Sequence, residues 1–178
     1  QINLPGVKYE TQRGRWNYCG PANLSMAMTF WGWNGNRDIV GQTVKPNEKD
    51  DKNVMPYEME NFVETNTVDL AAVVRLGGDL PLVKRLIAAG FPVLVEKGYY
   101  ETDADGHYSW LGHYQFVTGY DDGAQTVIVQ DTYLDGPDFQ IANEEFLQGW
   151  RSFNFLFIVV YPRAREVEVL GLLGDWAE

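Results

Sequence analysis

One cysteine occurs in the 178 residues, Cys19, within Asn17-Tyr18-Cys19-Gly20-Pro21-Ala22. Proline is accepted in the first turn of a helix, where its missing N–H would have had no partner. Helix formers follow it as far as Trp31. Cys19 is therefore expected at, or just before, the start of a helix running to about Trp31. Free backbone N–H groups and the positive end of the helix dipole then face the sulfur and favour thiolate over thiol. A thiolate attacks carbonyl carbon, so this placement suits a nucleophile. A lone cysteine is more often a small core hydrophobe, but the Gly-Pro helix start and the aromatic neighbours favour the reactive reading.

A nucleophilic cysteine needs a base, a group that orients the base, and donors for the oxyanion. Two histidines are present, His107 and His113. His113 lies in Gly112-His113-Tyr114-Gln115-Phe116-Val117, at the mouth of an expected strand where packing holds the ring. His107 falls in an expected loop, Tyr99 to Gly112, which places a base poorly. Asp131 ends the next expected strand, and Asp121-Asp122-Gly123-Ala124 between the two reads as a hairpin turn. Pairing through that hairpin brings His113 and Asp131 to one edge of the sheet. Gln12, seven positions ahead of Cys19, is the candidate amide donor to an oxyanion, together with the Cys19 backbone N–H.

The elements that must position these residues are legible from punctuation and periodicity. Ile2 to Thr11 reads as an extended lead-in, and Gln12 to Tyr18 as a polar-aromatic loop feeding the Cys19 helix. Short helices are expected over Arg37 to Val44 and Met55 to Thr65, the second with Pro56 in its first turn. Leu70 to Leu76 reads as a strand. Asp79 then caps a helix with Leu82, Leu86 and Ile87 on its apolar face, ended by Gly90. Pro92 to Lys97, Tyr114 to Tyr120, Thr126 to Gln130 and Phe153 to Tyr161 read as strands, and Asn143 to Trp150 as a helix. Helices first and a mostly antiparallel sheet after them define an α+β fold of two layers. Residues 1–162 form the expected domain, and 163–178 a linker or the first turns of a following module.

Composition narrows the function. Hydrophobic residues make up 45% and charged ones 22%, so the chain is globular. Twenty-five acidic against 14 basic residues give a net charge of −11, which argues against nucleic acid and anionic membrane surfaces. No apolar run reaches the roughly 18 residues of a membrane span. A single cysteine excludes an internal disulfide. Gln1 in place of Met reads as the start of a processed or excised segment. Asp103-Ala104-Asp105-Gly106 resembles the opening of a calcium loop, yet Tyr114 stands where the closing Glu is needed. Two histidines and one cysteine do not make a zinc site, so no metal or other cofactor is expected. Asn23-Leu24-Ser25 fits a glycosylation sequon but falls inside the Cys19 helix.

The series Gln12, Asn17-Tyr18-Cys19-Gly20-Pro21-Ala22, Gly112-His113-Tyr114 and Gln130-Asp131 resembles the papain-like cysteine peptidases of the bacteriocin-processing, double-glycine type, and more closely their free-standing bacterial members. The resemblance covers roughly Val7 to Tyr161. It implies a papain-like fold with Gln12 as oxyanion donor, Cys19 as nucleophile, His113 as base and Asp131 as orienter. The Cys-to-His separation of 94 residues (113 − 19) is shorter than the roughly 130–150 of plant-type papains. The chain departs from the transporter-fused members in lacking any spanning segment.

The expected function is hydrolysis of peptide bonds through an acyl-enzyme, on a peptide or protein substrate. Two other readings use the same scaffold: acyl transfer to an amine, and a peptide-binding module without catalysis. Trp16, Tyr18 and Trp110 flank the expected triad and are candidates for a substrate groove, which the negative charge biases toward neutral or basic peptides. The resemblance and Gln1 together suggest an exported or cell-surface protein, with the cytoplasm as the alternative.

Overall fold

Val93-Leu94-Val95 and Phe157 to Tyr161 are apolar at every position rather than at alternate ones. A strand of that kind must be covered on both faces. In the computed structural model, which describes residues 1–47, 49–102, 105–133 and 135–178, both faces of the sheet carry helices. The chain runs β1 (Ile2–Asn3), α1 (Cys19–Phe30), α2 (Arg37–Val44), α3 (Pro56–Asn66), β2 (Leu70–Arg75), α4 (Leu80–Ala88), β3 (Val93–Thr102), β4 (Tyr108–Asp121), β5 (Thr126–Gln130), β6 (Phe139–Ala142), α5 (Asn143–Arg151), β7 (Phe157–Pro162) and α6 (Glu166–Leu173). The strands order as β2-β7-β3-β4-β5-β6, with β1 added on β4. Every pairing among the described strands is antiparallel.

The alternation along β3 and β7 divides the core in two. Val93, Val95, Phe157, Val159 and Tyr161 pack against α4, α5 and α6. Leu94, Ile158 and Val160 pack on the other face against α1, α2 and α3. The arrangement is α+β as expected, but in three layers instead of two. The second helical layer is what these doubly apolar strands require.

Residues 163–178, expected as a linker or the start of another module, continue the same body. A 3₁₀ turn at Arg163–Arg165 leads into α6, whose Val169 and Leu173 are fully buried in the first core. Arg75 Nε donates to Trp176 O at 2.7 Å, and the Arg165 guanidinium lies 4.2 Å from the Phe91 ring centroid. The strand expected from Phe153 begins only at Phe157. Asn154 and Phe155 have φ of 54° and 56°, left-handed values that turn the chain instead of extending it.

Within Tyr99 to Gly112, expected as a long loop, Tyr99–Thr102 and Tyr108–Gly112 belong to a two-stranded ribbon. β3 and β4 stay in register from Val93↔Val117 out to Thr102↔Tyr108. Gly98 and Gly112 face each other across it. A Cβ on Gly98 would lie 2.4 Å from the Trp110 ring, and one on Gly112 3.0 Å from Phe153. These glycines make room for rings, not for a loop. The first two residues of the calcium-loop-like sequence, Asp103 and Ala104, lie outside the described residues.

Candidate active site

Cys19 is the first residue of α1. Asn17, at φ 48°, turns the chain into that helix, a left-handed conformation that Asn tolerates better than most residues. The preceding loop is stitched down on two sides. Gln12 N–H and Thr11 Oγ1 both donate to Thr132 O, at 2.8 and 3.2 Å. Lys45, buried at the end of α2, donates its ammonium protons to the carbonyls of Trp16 and Asn17. All of α1 except Phe30 is buried, as a helix enclosed by α2, α3 and the sheet must be.

Where β5 stops, α1 takes its place. The β4–β5 register ends at Phe116↔Gln130, and the next stretch of β4 meets the helix start. The Tyr114 and Gly20 backbone N–H groups lie near the Cys19 sulfur and favour its charged form. The Tyr114 carbonyl accepts from Asn23 Nδ2 at 3.1 Å. The same amide reaches Cys19 O at 2.8 Å and Thr132 Oγ1 at 3.4 Å. Asn23 is thus a fully buried cross-brace, not an exposed glycosylation site.

His113, 4% exposed, lies beside the Cys19 side chain and interacts with it electrostatically, and its Nε2 lies 3.2 Å from Asp131 Oδ2. With Nε2 occupied by the carboxylate, Nδ1 is the ring nitrogen left for the sulfur. Tyr99 meets the ring edge-on at 6.1 Å. Asp131 Oδ1 accepts from the Tyr133 backbone N–H at 2.8 Å, and Oδ2 accepts from Gln115 Nε2 at 2.6 Å. Gln12 is 9% exposed. Thr132 Oγ1 donates to its Oε1 at 2.7 Å, which turns the Nε2 donor end away from Thr132.

The charges in this cluster support one another. Burial pushes the Cys19 thiol up, but the His113 hydrogen bond and charge, with the Tyr114 and Gly20 N–H groups, outweigh it and bring it below its ordinary value. Burial pushes His113 down, yet its bonds to Asp131 and Cys19 and their charges raise it to about 9. Burial raises Asp131, and the His113 hydrogen bond and charge, then Gln115 and the Tyr133 N–H, hold it well below the usual carboxylate range. Each shift favours the charged form of its group: thiolate for Cys19, imidazolium for His113 and carboxylate for Asp131.

Cys19, His113 and Asp131 thus come together, His113 bonded to Asp131 and beside Cys19, with Gln12 anchored to Thr132. His107 is exposed at the tip of the ribbon, five register pairs beyond His113. The three groove candidates separate. Trp16 is 61% exposed on the loop ahead of Cys19. Tyr18 is buried, its hydroxyl against Gly41, where a Cβ would sit 1.7 Å away. It wedges α1 against α2 and, with Arg15, Asp38 and Lys45, lines a small pocket of about 110 Å³. Trp110 stacks on Phe153 at 5.5 Å. Three residues from His113 along β4, it stands on the opposite face of the ribbon. Next to the triad, Lys97, Tyr99, Asp131, Asp135, Glu145 and Gln148 line a cleft of about 370 Å³.

Gln115, Thr132, Asn23 and Lys45 escaped sequence reasoning. Two of them carry a local signal: Asn23 interrupts an apolar helix, and Gln115 an apolar strand. Thr132 and Lys45 carry none, because their partners are 120 and 29 residues away.

A cysteine at a helix start, beside a histidine and an aspartate held by an antiparallel sheet, is the set of groups that cysteine-peptidase chemistry needs. The peptidase C39-like family profile matches residues 4–157, and the chain belongs to that family. Comparison with curated proteins gave no match. Among solved structures, the fold is similar to one described as a C39-like peptidase from Bacillus anthracis, with TM-score 0.69 and 16% identity over 92% of this chain and 98% of that one. It is also similar to the peptidase domain of Streptococcus ComA, with TM-score 0.63 and 16% identity over 92% and 100% of the two chains. A double-glycine-motif protease from an AMS/PCAT transporter, bound to its leader peptide, gives TM-score 0.62 and 15% identity over 91% and 99%. No helix among the described residues is long and apolar enough to cross a membrane.

Proposed function

We propose that the chain hydrolyses peptide bonds through an acyl-enzyme on Cys19, with His113 as acid–base, Asp131 as its orienter and Gln12 as oxyanion donor. The observation that carries this reading is the buried His113, bonded to Asp131 at 3.2 Å and set beside the Cys19 side chain at the start of α1. The thiolate adds to the scissile carbonyl carbon, and the oxygen that gains the charge accepts from Gln12 Nε2 and the Cys19 N–H. The imidazolium protonates the leaving amine as the C–N bond breaks, leaving a thioester. Water, losing a proton to the now neutral imidazole, adds to the thioester and releases the acid and the thiolate. Three carboxylates against one ammonium in the adjoining cleft favour neutral or basic peptide segments.

The test is turnover of a quenched fluorescent peptide with Gly-Gly before the scissile bond, chosen because one similar structure is a double-glycine-motif protease holding a leader peptide. Activity is expected to rise as pH climbs through the lowered thiol value, when the thiolate forms. It should fall as pH passes about 9, when His113 loses the proton it must donate. A rate that keeps rising past that point would remove His113 as the acid. Gln12→Ala should reduce kcat by about 10²–10³ with the thermal midpoint nearly unchanged. A variant with normal kcat would show that Gln12 only lies nearby.

A further inference from the structure

Gln115 lies two residues beyond His113 on β4, so both side chains leave the strand on the same face. It is fully buried. Its Nε2 donates to Asp131 Oδ2 at 2.6 Å, the same oxygen that faces His113 Nε2 at 3.2 Å. The Tyr133 N–H holds the other carboxylate oxygen at 2.8 Å. The carboxylate fixes which way the amide faces, since only the NH₂ end can meet an acceptor. The far end is then stranded: Gln115 Oε1 is buried with no hydrogen-bond partner among the described residues. A buried unpaired carbonyl is destabilising, and an apolar side chain of similar volume would avoid it. The position gives up stability for a donor aimed at one oxygen.

We propose that Gln115 is a positioning residue for the His113–Asp131 pair, its amide fixing the plane in which the Asp131 carboxylate meets the imidazole. This rests on reading His113 as the base and extends the machinery to a residue outside the triad. The ring, the amide and the Tyr133 N–H all hold the carboxylate. The ring changes protonation during each turnover. The amide is neutral and cannot give up its proton, so it holds Asp131 steady while His113 alternates between imidazolium and imidazole.

Replacing the amide by a carboxyl turns this geometry into a pH-dependent one. In Gln115→Glu two carboxyl groups contend for one proton, and one of them titrates far above its ordinary value. While protonated, the introduced group donates to Asp131 Oδ2 as the amide does. Once ionised it repels Asp131 and loosens His113. The charged and titratable groups facing this carboxylate are His113 on β4, Cys19 on α1, Lys97 and Tyr99 on β3, Glu145 on α5, Tyr133 and Asp135 after β5, and Tyr9 on the lead-in. They are common to wild type and variant, so the ratio of the two isolates position 115.

Two measurements test it: the ¹⁵N-correlated ring N–H resonance of His113, and kcat and KM on the Gly-Gly peptide. With only two histidines in the chain, His107→Ala identifies the signal. For Gln115→Glu, the resonance and kcat should match wild type at acid pH. Both should be lost as pH rises, the kcat ratio falling by about tenfold or more with KM unchanged. Gln115→Leu should lose about tenfold in kcat at every pH, with unchanged KM and an equal or higher thermal midpoint. A pH-independent Gln115→Glu ratio with an unmoved resonance overturns the proposal, as does a Leu variant with wild-type kcat. If the Leu variant does not fold, Gln115→Glu decides alone. The resonance does not depend on turnover, so a failure of the triad reading, seen as activity surviving in Cys19→Ala, is distinct from a failure at Gln115.

Discussion

Cys19→Ala is expected to abolish turnover of the Gly-Gly peptide, a loss on the order of 10⁴–10⁶ in kcat, while the chain stays folded. The loss is this large because the thioester forms on the sulfur and no neighbouring group can replace it. The chain holds one cysteine, so no second thiol can take over. Stability should change little. The substitution removes one buried sulfur and keeps the helix start, whose hydrogen bonds to the sheet run through the backbone and Asn23. The relevant pair of measurements is kcat together with the thermal midpoint. Activity surviving in a folded Cys19→Ala chain would remove the sulfur from the mechanism.

His113→Ala should come next in size, with turnover down by about 10⁴ or more, whereas His107→Ala should stay near wild type. The contrast follows from placement. His113 is buried between Cys19 and Asp131, and His107 is exposed at the tip of the ribbon. Removing the imidazole leaves Asp131 the Gln115 amide and the Tyr133 N–H, so the buried carboxylate is not stranded and the fold should persist. Kinetics of the two single variants side by side decide the matter. Equal losses, or the larger loss in His107→Ala, would mean that the base has been misassigned.

Much of this site was legible because its chemistry is punctuated. Gly20-Pro21 marks the start of α1 and so the place of Cys19. The hairpin turn at residues 121–124 folds β5 back on β4 and brings Asp131 to His113. What escaped lies in features whose meaning depends on distant chain. Gly112 reads from sequence as the end of a loop, but here it faces Gly98 across a ribbon, and the two clear space for Trp110 and Phe153. Strand alternation puts Trp110 on the opposite face of that ribbon from His113. Tyr18 looked available because it adjoins Cys19, and its burial is set by Gly41 on α2. The third layer was signalled by doubly apolar β3 and β7, yet Glu166-Val167-Glu168-Val169 alternates like a strand. Only its packing against β7 and α4 makes α6 part of the same body. Thr132 was invisible as a positioning group because its buried bond to Gln12 leaves no local pattern, and Gln115 shows only as a polar break in an apolar strand.

The central claim is that His113 holds Cys19 as a thiolate. The measurement that meets it most directly is the rate of Cys19 alkylation by iodoacetamide as a function of pH, in wild type and His113→Ala. Only the thiolate reacts, and no substrate has to be known. Wild type should alkylate rapidly well below the ordinary thiol range, since the imidazolium outweighs the burial that pushes the thiol up. In His113→Ala that burial is no longer offset by the imidazolium, and fast alkylation should move to or above the ordinary thiol range. Superimposable profiles for the two proteins would contradict the account.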